Sequence, residues 1–145
     1  RNVAEACRQH GSTTLIHISS DQLFSGTKPM VAEDEPPAPL NTYGRTKQEA
    51  ELEVLEKVPD ALVVRTNFYG WGHSSRTSFS DWIIRALRDG KPITMFEDVF
   101  FTPILIDHFI EVCHDLVRVG TGGIVHVAGS ERVSKYEFAV TLAGV

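Results

Sequence analysis

Tyr43 and Lys47 stand four residues apart in the run Pro39-Leu40-Asn41-Thr42-Tyr43-Gly44-Arg45-Thr46-Lys47. A helix opening in this run and continuing to about Lys57 stacks the two side chains on one face. Ala50 and Val54 continue that face and are small or apolar, so it looks inward. A lysine turned inward needs acceptors for its N–H groups, and a cofactor or substrate hydroxyl would supply them. An ammonium beside a phenol favours the phenolate, which lets a tyrosine serve as acid or base near neutral pH. The alternative is a surface helix whose tyrosine and lysine meet by chance. YxxxK is short, and the spacing alone does not separate the two readings.

A second polar group lies at Ser19-Ser20-Asp21, directly after the branched apolar run Thr14 to Ile18. Ligands of open α/β sheets bind at the carboxyl ends of strands, where small hydroxyl residues are well placed to reach them. The same serines can simply cap the strand and start a turn. His17, inside the run, reads as a neutral core histidine with one or two hydrogen bonds. The other histidines are scattered, and His108 and His114 are six apart, off a shared helical face, so no metal site is assigned. No HExxH, GxSxG, P-loop or GxGxxG sequence occurs; the glycines at 120, 122 and 123 follow a helix and precede a strand, the wrong order for a phosphate loop.

The elements that must position these residues alternate. Asn2 to His10 is helical and Gly11 ends it. Thr14 to Ile18 and Ala61 to Arg65 are strands of the kind covered by helices on both faces. The long segment 22–41, with four prolines and the acidic cluster Glu33-Asp34-Glu35, is an irregular functional loop. It leads into the helix at Asn41 or Thr42, either of which can cap it. Strand, loop, helix and strand form a right-handed crossover, so the two strands are expected side by side and parallel. The aromatic, glycine-rich stretch 66–72 leaves the second strand as a ring-binding surface or as core packing. Ser78 to Arg88 is an amphipathic helix, 92–96 a short strand, Asp107 to Val117 a helix with Asp107 as its cap, 124–128 a strand, and Ser134 the cap of a last helix.

A length of 145 residues suffices for one domain with a real core. A net charge of -5, with no long basic run, gives no electrostatic support to nucleic-acid or anionic-membrane binding. No apolar run reaches membrane-spanning length. Cys7 and Cys113 are far apart and read as reduced thiols of an intracellular, cytoplasmic protein. The chain opens at Arg1 rather than Met and closes at Val145, both inside helical patterns, which leads us to expect a fragment. The sheet edge before Thr14 is then expected to be covered by a preceding half or by a second copy in a homodimer.

Taken in order, several stretches carry a resemblance to a known family. They are Ile18-Ser19-Ser20-Asp21-Gln22-Leu23-Phe24-Ser25-Gly26, the segment Glu33 to Lys47, Arg65-Thr66-Asn67-Phe68-Tyr69-Gly70, Thr102-Pro103 with Asp107, and Gly123 to Gly129. Together they resemble the extended short-chain dehydrogenase/reductase superfamily and, within it, the dTDP-4-dehydrorhamnose reductase group. The resemblance covers essentially the whole chain. It implies an α/β fold, a partial Rossmann-like parallel sheet with helices on both faces plus part of a small substrate-binding lobe. Residues 1–145 would be the C-terminal part of an NAD(P)-binding domain, with lobe elements around 67–106 and 129–145. The first Rossmann half has no counterpart here, and the last helix is cut short.

The same resemblance implies roles. Ser20 would hydrogen-bond the substrate carbonyl, Tyr43 would donate a proton to that oxygen, and Lys47 would bind the nicotinamide ribose of NADP or NAD while favouring the ionised tyrosine. Ser19, Tyr43, Lys47, Arg65, Thr66 and Asn67 would form the cofactor side. Ser20, Asp21, Gln22, Phe68 and Thr102 would face a nucleotide-sugar substrate, with Ile93 and Phe96 in the sugar-nucleotide lobe. Gln22 departs from the tyrosine common in this reductase group. It also stands where related 4,6-dehydratases carry glutamate, and a neutral amide cannot be the general base of an elimination. The reductase reading gains over the dehydratase one. An epimerase of the same superfamily, or a noncatalytic nucleotide- or partner-binding homologue, remains an alternative.

Overall fold

The computed structural model describes residues 2–11, 13–73 and 75–144. The helical patterns expected to run through Arg1 and Val145 reach residues outside that set. In chain order the elements are α1 (Asn2–His10), β1 (Ile16–Ile18), a 3-10 turn (Asp21–Leu23), α2 (Thr42–Lys57), β2 (Leu62–Arg65) and β3 (Phe68–Tyr69). They continue with α3 (Phe79–Arg88), β4 (Phe100–Phe101), β5 (Ile104–Leu105), α4 (Ile106–Arg118), β6 (Gly123–His126), β7 (Val133–Ser134) and α5 (Lys135–Ala143). No helix among these is long and apolar enough to cross a membrane.

The chain divides into two compact units, residues 1–66 with 111–127 and residues 67–110 with 128–145. The first unit holds a parallel sheet in the order β1-β2-β6. Ile16 stands opposite Leu62 and Ile18 opposite Val64, so the two strands expected to be parallel neighbours are so. β6 flanks β2 on its other side, with Val63 opposite Ile124 and Arg65 opposite His126. Successive residues of β2 point to opposite faces and all four are buried, so this strand is covered on both sides. One core joins Ala4 of α1 and Val54 of α2 to Ala61 and Val63, with Leu15, Leu55, Val58 and Ile124 packed around them. Strand β1 is shorter than the expected 14–18, because pairing starts only at Leu15, whose carbonyl accepts the Leu62 N–H (2.9 Å). Gly11 takes φ 64° as α1 ends, a conformation that disfavours any side chain.

The second unit pairs β3 with β5 in parallel and β4 with β7 antiparallel. Its core is Ile83, Phe101, Phe138 and Ala139, with Tyr69, Ile93, Met95, Val133 and Leu142 packed against them. Ser78 and Ser134 cap α3 and α5 in reciprocal boxes with Asp81 and Glu137. The expected strand at 92–96 does not form. Ile93 and Met95 turn inward with the alternation of a strand, but among the described residues no ladder partner lies beside them; a main-chain contact there is the Phe96 carbonyl accepting the Tyr136 N–H (3.0 Å). Asp107 is not a cap either, because α4 starts one residue earlier at Ile106, directly from β5. The expected strand 124–128 is Gly123–His126. The last helix closes at Ala143, where the Gly144 N–H donates to the Thr141 carbonyl (3.2 Å).

Candidate active site

Of the two expected caps, Asn41 is the one used: its Oδ1 accepts the Gly44 N–H (2.8 Å). Asn41 Nδ2 also donates to Gln22 Oε1 (3.2 Å), tying the start of α2 to the 3-10 turn. Gly44 is buried against that turn. A Cβ there would run into the Gln22 carbonyl oxygen and the Pro39 Cβ, so the close approach requires glycine. Gln22 thus bonds the helix cap through its side-chain amide and packs its carbonyl against Gly44.

From this seat α2 presents Tyr43 and Lys47 on consecutive turns. Lys47 Nζ donates to the Ile18 carbonyl oxygen at the end of β1 (2.9 Å) and lies 5.8 Å from the Tyr43 ring centroid. Lys47 is half-buried and Tyr43 is 50% exposed, so the face turns inward from Lys47 onward and leaves the phenol accessible. Ser19 and Ser20 are buried just beyond β1. The Ser19 N–H donates to the Val64 carbonyl (2.7 Å) and the Asp21 N–H to the Thr66 carbonyl (3.4 Å), extending the pairing with β2 past the strand ends. Ser20 Oγ accepts the Gln22 N–H (3.2 Å) and donates to Asp21 Oδ1 (3.3 Å). The capping use of Ser20 is therefore real. Both bonds are long, so a better acceptor can compete for the hydroxyl proton.

The structure adds a residue that the sequence reading passed over. Glu51, one turn beyond Lys47, is buried against Arg65, and each side chain is 4% exposed. Arg65 Nε donates to Glu51 Oε1 (3.0 Å) and Nη2 to Oε2 (2.8 Å), while Nη1 reaches the Glu33 carbonyl oxygen (3.3 Å). The guanidinium also lies 5.3 Å from the Phe24 ring centroid. Its donors are thus turned to protein partners. Glu33 Oε1 in turn accepts the His126 N–H (2.9 Å), and that bond, followed by the Glu33 main-chain N–H, holds the Glu33 carboxyl below its ordinary range. The available signal for Glu51 was its spacing: 43, 47 and 51 form one stripe at helical repeat.

Among the described residues, four buried side-chain atoms in or just beyond these strands have no hydrogen-bond partner: Ser19 Oγ, Thr66 Oγ1, His17 Nε2 and His126 Nε2. His17 was expected to be neutral and hydrogen-bonded. Burial, followed by the Lys47 charge, pushes its pKa below 6.5, which keeps it neutral, but the Nε2 bond is not made. The remaining sequence-predicted residues belong to the second unit. The Asn67 carbonyl accepts the Ile104 N–H (3.2 Å) and the Thr102 carbonyl accepts the Gly129 N–H (3.3 Å). Phe68 stacks on Phe109 with centroids 5.5 Å apart. Tyr69, from the same aromatic stretch, meets Phe138 edge-on at 5.0 Å, so part of that stretch is core packing.

Comparison with known proteins identifies the family. Residues 1–144 match the RmlD substrate binding domain. A probable dTDP-4,6-dihydroxy-2-methyloxan-3-one 4-ketoreductase of Streptomyces antibioticus is 34% identical over 144 residues, covering 96% of this chain and 47% of that protein. Methionine adenosyltransferase 2 subunit beta of Pongo abelii is 32% identical over 148 residues, covering 89% of this chain and 41% of that protein. The crystal structure of dTDP-4-dehydrorhamnose reductase from Bacillus anthracis str. Ames in complex with NADP superposes with a TM-score of 0.90 at 29% identity, over 99% of this chain and 50% of that one. The chain therefore spans about half the length of the curated relatives it matches. On the family match and the shared α/β fold, the chain belongs to the RmlD substrate binding domain family.

Proposed function

We propose that the full-length protein carrying this chain reduces a 4-keto-deoxysugar nucleotide at the expense of NADPH or NADH. The observation that carries this reading is the placement of Tyr43 and Lys47 on consecutive turns of α2, with Lys47 bonded to the end of β1 just before the buried Ser19 and Ser20. The relatives named as a 4-ketoreductase and as a dTDP-4-dehydrorhamnose reductase in complex with NADP support it.

The chain's own residues divide the work as follows. Ser20 turns its hydroxyl proton from Asp21 to the substrate carbonyl oxygen and steadies the charge that grows there. Tyr43 gives its phenolic proton to the same oxygen. Lys47 stabilises the phenolate left behind and, among the described residues, gives one of its three N–H donors to Ile18, which leaves donors for ribose hydroxyls. A bound nicotinamide cofactor supplies the hydride. Ser19 Oγ and Thr66 Oγ1, buried without partners, fit the polar groups of such a cofactor, since orphaned hydroxyls are costly unless a ligand satisfies them. Asn67 completes the cofactor side, and Arg65 supports it through the main chain, its guanidinium being bonded to Glu51. Asp21, Gln22, Phe68 and Thr102 are assigned to the substrate, with the second unit as the sugar-nucleotide lobe. A cytoplasmic setting goes with this reading, as does a covered β1 edge, by a further part of the protein or a second copy.

The test is titration of the full-length protein with NADPH and NADH, followed by their oxidation in the presence of a dTDP-4-keto-6-deoxysugar. Binding of one cofactor with turnover is expected. Binding of neither overturns the reductase reading. Binding without turnover favours a second reading, a noncatalytic partner subunit, for which the relatives named methionine adenosyltransferase 2 subunit beta speak.

A further inference from the structure

Tyr43, Lys47 and Glu51 follow one another at four-residue spacing on α2; Lys47 is held by one bond to the Ile18 carbonyl and Glu51 by a two-point contact. The Glu51 carboxylate meets the Arg65 guanidinium at 3.0 and 2.8 Å through two different nitrogens. A two-point contact of this kind fixes direction as well as distance. Arg65 is itself a fixed post. It is the last residue of β2, it stands opposite His126 in β6, and its carbonyl accepts the Val127 N–H (3.0 Å). The next residue, Thr66, offers its carbonyl to the Asp21 N–H, adjacent to Ser20. Two consecutive residues at the end of β2 therefore touch the helix bearing Tyr43 and Lys47, through Arg65, and the turn beside Ser20, through the Thr66 carbonyl. A buried ion pair is a poor device for stability, because desolvating two charges consumes most of their attraction and an apolar pair of similar volume holds a fold as well. What a two-point contact of this kind can add is a fixed rotation and height of α2 against the sheet.

We infer that Glu51, through Arg65, is a positioning residue that sets Tyr43 and Lys47 against Ser20 for proton transfer. This rests on the reductase reading above. Glu51 touches no reacting atom; it acts through the helix. Displacing a proton donor by an ångström costs on the order of 10²-fold in rate, and such a loss appears in kcat rather than in KM.

The experiment compares the full-length wild type with Glu51→Asp and with the paired replacement Glu51→Leu/Arg65→Met, measuring melting temperature, kcat, KM for the 4-ketosugar nucleotide, and the pH profile of kcat. The paired replacement removes both charges and is expected to melt at or above the wild-type temperature. Its kcat should fall about 10²-fold with KM changed by less than about threefold, and its pH profile should shift, because Lys47 no longer sits where it did beside Tyr43. Glu51→Asp keeps the charge on a shorter stem and should lose about tenfold in kcat while remaining folded. A stable paired variant with wild-type kcat and pH profile overturns the inference and leaves a purely structural salt bridge. Should the paired variant not fold, Glu51→Asp decides: unchanged kcat and pH profile overturn the inference, and the kcat-specific loss supports it. A wild-type protein that binds cofactor but reduces no 4-ketosugar nucleotide overturns the functional reading instead, and with it the inference.

Discussion

At the scale of single residues, Lys47 carries two duties that one substitution should remove together. Lys47→Ala removes both the charge beside Tyr43 and the donor next to Ile18. In the full-length protein it should weaken nicotinamide binding and lower turnover together, and cofactor titration beside steady-state kinetics checks this. Arg65→Leu leaves the Glu51 carboxylate buried without its partner and should cost about 3–5 kcal/mol of folding stability, measured by denaturant unfolding. His17 gives a pH signature. Burial and the Lys47 charge hold its folded pKa below 6.5. As pH falls through about 6.5 the unfolded chain takes up a proton that the folded chain refuses. Its contribution to stability is therefore whole above that pH and declines below it, until the folded imidazole also protonates. His17→Gln should flatten stability against pH in that window, and identical slopes for the two proteins would contradict it. Tyr43, Lys47 and Ser20 were legible in the sequence because they sit at a helical repeat and at a strand end. Glu51 shares that helical repeat, but its ion pair was not legible, since its partner Arg65 lies fourteen residues on, across a crossover that only the fold closes.

At the scale of elements, the seat of α2 on the 3-10 turn decides where its face points. Gly44→Ala tests this against intuition. Alanine favours a helix interior over glycine by about 1 kcal/mol, yet a Cβ at this position collides with the Gln22 carbonyl and Pro39. The variant is expected to be less stable than wild type, and also slower, because relief of the collision shifts the start of α2, which carries Tyr43. Thermal melts and turnover read both, and a gain in stability with unchanged turnover would show that the seat yields freely. Helices were legible from their apolar stripes, glycine stops and serine caps. The strand at 92–96 was misread because alternation reports which side chains turn inward, not whether a neighbouring strand exists to bond the main chain. Asp107 was misread as a cap because β5 runs into α4 with no turn between them.

At the scale of the molecule, the three-stranded sheet of the first unit leaves β1 at its edge, with Ile16 38% exposed. An open strand edge invites pairing. Residues 1–145 produced alone are expected to associate or to unfold without a cooperative transition, and the full-length protein to do neither. Light scattering and calorimetry on both samples check this, and a cooperative monomer of the short chain would contradict it. The parallel crossover was legible because two apolar runs flank a loop and a helix. The place of β6 beside β2 was not, because strand order depends on contacts between segments far apart in sequence. The central claim, that Tyr43 delivers the proton in reduction of a 4-ketosugar nucleotide, is tested most directly by one comparison: steady-state oxidation of NADPH by full-length wild type and Tyr43→Phe on a dTDP-4-keto-6-deoxysugar. Phenylalanine keeps the half-exposed ring and removes only the hydroxyl with its proton. A loss of about 10²- to 10⁴-fold in turnover, with fold and cofactor affinity retained, is the predicted result; turnover near the wild-type value would contradict it.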